Sequence, residues 1–278
     1  MAEILLGLTA ALISAIFWGT NFVPMKLSKS NPILFHAFMT IGILLSSIAY
    51  LLITATAFSI NPFAILAGIS WGIGNILAVK ALELSGLSRA LPTWAGIIIV
   101  LTFMWGLILF KETLSSLPLG ILGILLFLAG VPLVSARDEK TKSRKGIIIA
   151  IIAGVIFSFY LVPFKLFNIG YGEWLVSSSL GIVLTGIPIL VMNTKKLSGF
   201  LHGIIGGVMW NMASLSSLYA VSFLGFAIGV PLTQLSLIIS ALWGVFYFKE
   251  VKGRLVYKVM LGVVLLFISG FLLSFAKM

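Results

Sequence analysis

The sequence predicts an all-α integral membrane fold: ten transmembrane helices built as two inverted five-helix repeats. Three observations predict it. First, the 278 residues are 60% hydrophobic and only 9% charged, whereas a soluble domain carries about 25% charged residues. Too little polar side chain is present to cover a water-facing surface. Second, continuous apolar runs such as 41–52, 97–110 and 146–157 sit within stretches near the ~20 residues that a helix needs to cross about 30 Å of hydrocarbon. An outer-membrane barrel would instead alternate in pieces of about 10 residues. Third, the phrase Val-Pro-x-Lys-Leu occurs at 23–27 and again at 162–166, an offset of 139 residues, half the chain.

With Gly, Pro and charge as punctuation, α1 covers 4–25. It does not read as a cleavable leader, because no basic residue precedes Ile4 and further spans follow without a break. It carries Trp18 and Asn21, three apart and so on one face, with Thr20 between them, and it ends in Pro24-Met25-Lys26. Next, α2 covers 33–57 and holds His36 near its start. The third span, α3, covers 62–82 and sets Trp71 and Asn75 four apart on one face; Lys80 and Glu83 near its end are spaced to pair. Pro92, Thr93 and Trp94 follow in α4, at 89–110. Almost nothing polar except Ser occurs in α5, at 115–135, and its many glycines suit close packing. The one long charged connection, ARDEKTKSRK at 136–145, joins unit 1–135 to unit 146–278. Then α6, at 146–167, carries Ser158, Tyr160, Pro163 and Lys165, and α7, at 173–192, opens on Glu173. Trp210, Asn211, Ser214, Ser217 and Tyr219 lie in α8, at 200–221. Pro231, Thr233 and Gln234 lie in α9, at 226–248, and α10, at 255–275, repeats the Gly-rich character of α5.

Charge gives the orientation. Of 18 Lys and Arg residues, all but Lys111, Lys165 and Lys277 fall on the side of the loops after α1, α3, α5, α7 and α9. The positive-inside rule then puts the linker in the cytoplasm and both termini outside. It also accounts for the net charge of +11 without a nucleic-acid partner.

The repeat extends beyond one phrase. Gly68, Trp71, Ala81, Pro92 and Gly123 recur as Gly207, Trp210, Ala220, Pro231 and Gly262. Trp105-Gly106 and Phe110-Lys111-Glu112 recur at 243–244 and 248–250, an offset of 138. Five helices per unit is an odd number, so the second unit crosses the membrane in the opposite sense. Inverted repeats are the architecture of carriers that open one central site to either side. A duplication kept only for fold stability is the plainer alternative.

The segments from Phe110 to Ser135 and from Phe248 to Ser274, each a Glu followed by a Gly-rich helix, resemble the signature of the drug/metabolite transporter superfamily, as does FWGTNFVPMK at 17–26. Pro-x-Lys at the ends of α1 and α6, and Gly172-Glu173-Trp174, are similar to the glucose/ribose porter and rhamnose transporter branch. His36 departs from it, standing where that branch suggests Gln. The resemblance implies a cavity lined by α1, α3, α4, α6, α8 and α9, with α5 and α10 packed behind.

The candidate solute contacts are Trp18, Asn21, Trp71, Asn75, Trp94, Tyr160, Trp210, Asn211, Ser214 and Gln234. Amides offer directional donors and acceptors to hydroxyls, and an indole suits the C–H face of a sugar. Interfacial anchoring for the tryptophans and interhelical bonding for the amides are the plainer readings. Pro24, Pro92, Pro163 and Pro231 are candidate hinges or helix ends. Lys26 and Lys165 read as snorkelling anchors, and Gly68/Gly72, Gly203/Gly207 and Gly225/Gly229 as close helix contacts. No Asp, Glu, Lys or Arg falls near a midplane. Proton coupling therefore requires His36 or Glu173 to reach inward; otherwise transport is facilitated diffusion or exchange.

The reading is a secondary carrier of small neutral polar metabolites, sugars first, or else an exporter of amino acids or amphipathic compounds. Its partners are solute and lipid bilayer, with no cofactor and no metal. Absence of cysteine excludes disulfides and thiolate metal sites. Two histidines and no midplane carboxylate argue against an intramembrane enzyme, short loops argue against a scaffold, and no phosphate-binding loop is present to make it a pump.

Overall fold

The structure is a computed structural model that describes residues 2–28, 31–137, 143–193 and 198–278. Among them are ten helices long and apolar enough to cross a membrane: α1 Ala2–Ser28, α2 Pro32–Thr54, α3 Pro62–Ser85, α4 Arg89–Leu109, α5 Leu117–Val134, α6 Arg144–Leu166, α7 Tyr171–Met192, α8 Phe200–Leu224, α9 Phe226–Tyr247 and α10 Arg254–Lys277. All ten expected spans are present, with ends shifted by a few residues. Positions 138–142 of the expected linker, and Lys29, Lys140, Lys142, Lys195 and Lys196 of the charge count, lie outside the described residues. Large apolar side chains such as Leu52, Ile53, Val191 and Phe267 stay exposed. Hydrocarbon rather than water is the medium in which such a surface is at no disadvantage.

Local sequence sets the helix starts. Asn31 and Asn61 each precede a proline at the first helical position, and each side chain accepts two first-turn amides, the favoured way to begin a helix. Two spans break at related places. In α1 the helix stops at Thr20 and resumes at Val23; in α6 it stops at Phe159 and resumes at Val162. Pro24 and Pro163 are each the second residue of the resumed piece, where the missing N–H removes one bond back across the break. Farther on, α9 breaks at Gln234–Leu235, three residues after Pro231. By contrast, α4 runs through Pro92 as one α-helix, Leu87–Met104. Both α4 and α9 finish as π-helices, Trp105–Leu109 and Trp243–Tyr247. Each is followed by a lysine at positive φ, Lys111 at 50° and Lys249 at 52°.

The helices pair as α1 on α8, α3 on α6, α2 on α8, α3 on α7, α4 on α6, α1 on α9, α2 on α7 and α5 on α10. Glycine permits the closest crossings. A Cβ on Gly68 or Gly207 would strike the backbone of Ser178 or Met39, and one on Gly42 or Gly181 the backbone of Ile204 or Ile65. Small residues also join α5 to α10, where Ser269 donates to the Gly123 carbonyl at 2.7 Å. Gly72, Gly203 and Gly229 likewise abut a neighbouring helix. Gly225 corrects the sequence reading. It is the positive-φ residue between α8 and α9, and the Glu112 carboxylate fills the space beside it.

Candidate functional site

The centre of the bundle is aromatic. Trp71 of α3 and Trp210 of α8, repeat-mates by sequence, meet with ring centroids 4.3 Å apart. Tyr160 of α6 lies 5.9 Å from Trp210 and 6.4 Å from Trp71. Trp18 of α1 lies 6.5 Å from Trp210, and His36 of α2 lies 6.2 Å from Trp71. Trp174 of α7 closes the group at 5.4 Å from Tyr160. The break in α1 falls at Asn21 and that in α6 at Tyr160, so the unwound turns border this cluster. None of these residues carries a fixed charge.

Hydrogen bonding separates satisfied polar groups from waiting ones. Asn75 Nδ2 and His36 Nδ1 are 2.8 Å apart. Asn211 Nδ2 donates to Ser46 Oγ at 3.0 Å and Ser47 Oγ at 3.1 Å, tying α8 to α2. Tyr160 Oη donates to Ser178 Oγ at 3.4 Å. In contrast, among the described residues Trp18 Nε1, Asn21 Oδ1 and His36 Nε2 are buried without a hydrogen-bond partner. A buried donor or acceptor left unpaired costs about 1–3 kcal/mol, and these three atoms carry that cost around one aromatic cluster.

Of the other sequence candidates, Ser214 is buried one turn beyond Trp210. Gln234 sits half-buried in the α9 break. Trp94 makes none of these ring contacts but packs, partly buried, against the same apolar cluster, with its backbone on Gly154 of α6. The cluster also draws on α2 and α7, through His36 and Trp174, beyond the six helices that the resemblance implied. Of the two titratable candidates, His36 reaches inward and is 1% exposed. Glu173 stays in the first turn of α7, where Ser59 Oγ donates to it at 3.1 Å. Lys80 pairs with Glu83 at 2.8 Å as its spacing suggests.

Lys26 and Lys165 are not free anchors. Lys26 bonds both carboxylate oxygens of Glu250, at 2.8 and 2.9 Å, and lies 4.8 Å over the Phe248 ring. Lys165 bonds Glu112 and lies 4.9 Å over the Phe110 ring. Glu112 also accepts from the amides of Phe226 and Ala227, at 2.7 and 2.8 Å. Each pair joins the end of a broken helix in one half to the π-helix stop of the other half. Sequence reasoning missed both glutamates as partners. The signal was the recurrence of Pro-x-Lys and Phe-Lys-Glu in nearly one register.

Residues 9–276 match the family model described as "Sugar transport protein". The chain is 27% identical to the "Glucose uptake protein GlcU" of Bacillus subtilis, over 98% of this chain and 99% of that one. It is 29% identical to the "Probable glucose uptake protein GlcU" of Bacillus anthracis, over 96% and 98%. It is 28% identical to the "Putative sugar uptake protein lmo0169" of Listeria monocytogenes, over 98% and 100%. A solved structure described only as "Crystal structure of protein" superimposes with a TM-score of 0.77 at 18% identity, covering 99% of this chain and 98% of that one, and so shares the fold. With a match from Thr9 to Ala276 and relatives aligned end to end, the chain belongs to the sugar transport protein family.

Proposed function

We propose that the chain carries a neutral hexose, glucose first, across the cell membrane through the Trp71/Trp210 cluster, by alternating access between two inverted halves. The observation that carries this reading is the set of unpartnered polar atoms on Trp18, Asn21 and His36 around two indoles that meet at a tilt of 50°. A polyhydroxyl ring offers what those atoms lack, together with an apolar C–H face for the indoles. A fixed ionic group on the solute would find no counter-charge there. The names of the glucose uptake relatives support the same solute.

Three features support two interchangeable halves. Exchanging each helix with its repeat-mate turns α1·α8 into α6·α3, α2·α8 into α7·α3 and α1·α9 into α6·α4, while α2·α7 and α5·α10 map onto themselves. The ion pairs exchange likewise, as do the helix breaks at Asn21 and Tyr160. In alternation, one Lys–Glu latch opens while the other holds. Both termini lie outside and the basic linker inside. Maleimide labelling of single cysteines at Ala136 and Met278, clean because the chain has none of its own, must report opposite sides.

The test of function is uptake of labelled glucose into proteoliposomes. Saturable uptake is expected, with Trp71→Ala and Asn21→Ala each reducing it at least tenfold while inserting normally, since each forfeits roughly 1.5 kcal/mol or more of solute contact. Unchanged kinetics in both variants would remove the proposed chamber. Amino-acid efflux without hexose uptake would shift the reading to an exporter of the same fold.

A further inference from the structure

A crevice of about 720 Å³ opens on the face where the linker joins the halves, and none of the central aromatic residues lines it. Its walls come from the start of α4 (Arg89, Pro92, Thr93), the end of α5 (Pro132) and the start of α6 (Ser143, Arg144, Ile147, Ile148). The carrier mechanism uses none of these residues for solute.

Among the described residues the charges here are unbalanced. Arg89 and Arg144 are both exposed, and no ion pair between described residues involves either. Both sit in the first turn of a helix that has no acidic residue in that turn. The N-terminal end of a helix is itself positive, so a cation there is disfavoured and an anion is favoured. Although the end of α5 in the same crevice favours cations, the two guanidinium groups have no carboxylate partner among the described residues, and an anion between them would supply the counter-charge. A bidentate guanidinium matches phosphate oxygens in geometry as well as charge.

The remaining walls argue for an anion that brings hydrocarbon with it. Ile148 is 58% exposed on the outer face of α6, Pro132 is exposed at the end of α5, and Pro92 and Ile147 complete an apolar floor. A free phosphate would leave that floor uncovered, whereas acyl chains would cover it.

We propose that this crevice binds one anionic phospholipid from the leaflet on the linker side, with its phosphate between Arg89 and Arg144 and its chains along Pro92, Pro132 and Ile148. Because α4 and α5 lie before the linker and α6 after it, the lipid bridges the two halves where only that linker joins them in sequence. The occupant is a diacyl lipid, not a soluble anion, and its headgroup is anionic, not zwitterionic.

The test uses the whole purified protein in maltoside micelles, titrated separately with phosphatidylglycerol, phosphatidylcholine and glycerol phosphate. Thermal midpoint and native mass spectrometry are the readouts. Phosphatidylglycerol should raise the midpoint and remain bound, with little effect from the other two. Arg89→Gln and Arg144→Gln should each weaken it about fivefold, the ratio for losing one arginine's attraction to an anionic lipid surface. Arg254→Gln, at the same side but outside the crevice, should not. Equal shifts with phosphatidylcholine, or with glycerol phosphate alone, would overturn the proposal. So would an Arg254→Gln loss as large as that of Arg89→Gln, since attraction would then be a property of the whole basic face.

Discussion

Helices α4 and α9 begin and end on the same words, yet the spacing between those words differs. Pro92 and Trp105 are 13 positions apart; Pro231 and Trp243 are 12. One residue of α-helix is about 100° of rotation and 1.5 Å of rise. A simple deletion would swing Glu250 about 100° away from the place that Glu112 holds in its own half. The break in α9 absorbs the loss. Gln234, Leu235, Leu237 and Ile238 donate their amides three residues back, to Pro231, Leu232, Gln234 and Leu235, at 2.9–3.1 Å. Such a 3₁₀ turn winds about 120° and rises about 2.0 Å per residue. Each tightened residue therefore gains about 20° and 0.5 Å, so about three of them restore the missing length and about five the missing rotation. The comparison teaches that geometry fixes the two ends of these helices, where the latches must close, and leaves the middle free. Only α9 thereby acquires a joint within its span.

The harshest way to break this comparison is to shorten α4 as α9 is shortened. Deleting Val100 brings Pro92 and Trp105 to the α9 spacing, but α4 is continuous α-helix from Leu87 to Met104 and has no tightened turn in place. Glu112 then leaves Lys165 and the amides of Phe226 and Ala227. Complete loss of sugar uptake and no monodisperse protein by size exclusion are expected, whereas an alanine inserted after Leu235 should leave a folded carrier. A deletion variant as stable as wild type would refute the register argument. Next in size is the contrast between the latches themselves. The Glu112 side chain is 11% exposed and that of Glu250 is 34%. Glu112→Ala strands a half-buried lysine and two amides, at about 3 kcal/mol; Glu250→Ala costs about 1 kcal/mol or less. Denaturant unfolding in mixed micelles measures both, and equal losses would erase the distinction.

How much of this was legible in the sequence follows from what each signal encodes. The ten spans were, because hydrocarbon thickness forces runs of fixed length. The central indoles were half legible: Trp71 and Trp210 stand in one register, and their meeting follows from it. The inward turn of His36 toward Asn75 was not, since hydropathy does not say which way a helix faces, and Trp174 was hidden for the same reason. The latches join residues 224 and 53 positions apart, and no local pattern reports a contact across halves. The α9 joint did leave a trace, the slip of the repeat offset from 139 to 138 between Pro231 and Trp243, but a slip gives only the interval and not how the backbone absorbs it.

The smallest expected effect separates two causes of that joint. Proline removes the amide that would bond four residues back, here toward Ala227, and a proline kink is the usual account of a helix break. Yet Pro92 does the same in α4 without breaking it. If the missing residue makes the joint, Pro231→Ala restores one amide but not the count. The i→i−3 bonds of Gln234 and Leu235 must persist to keep Trp243 on Thr20, whose hydroxyl its indole meets at 3.2 Å. Uptake by Pro231→Ala and by Pro92→Ala should then each stay within about twofold of wild type, a difference of about 0.4 kcal/mol. Loss of transport in Pro231→Ala alone would assign the joint to the proline, and α9 would differ from α4 in local stiffness instead of length.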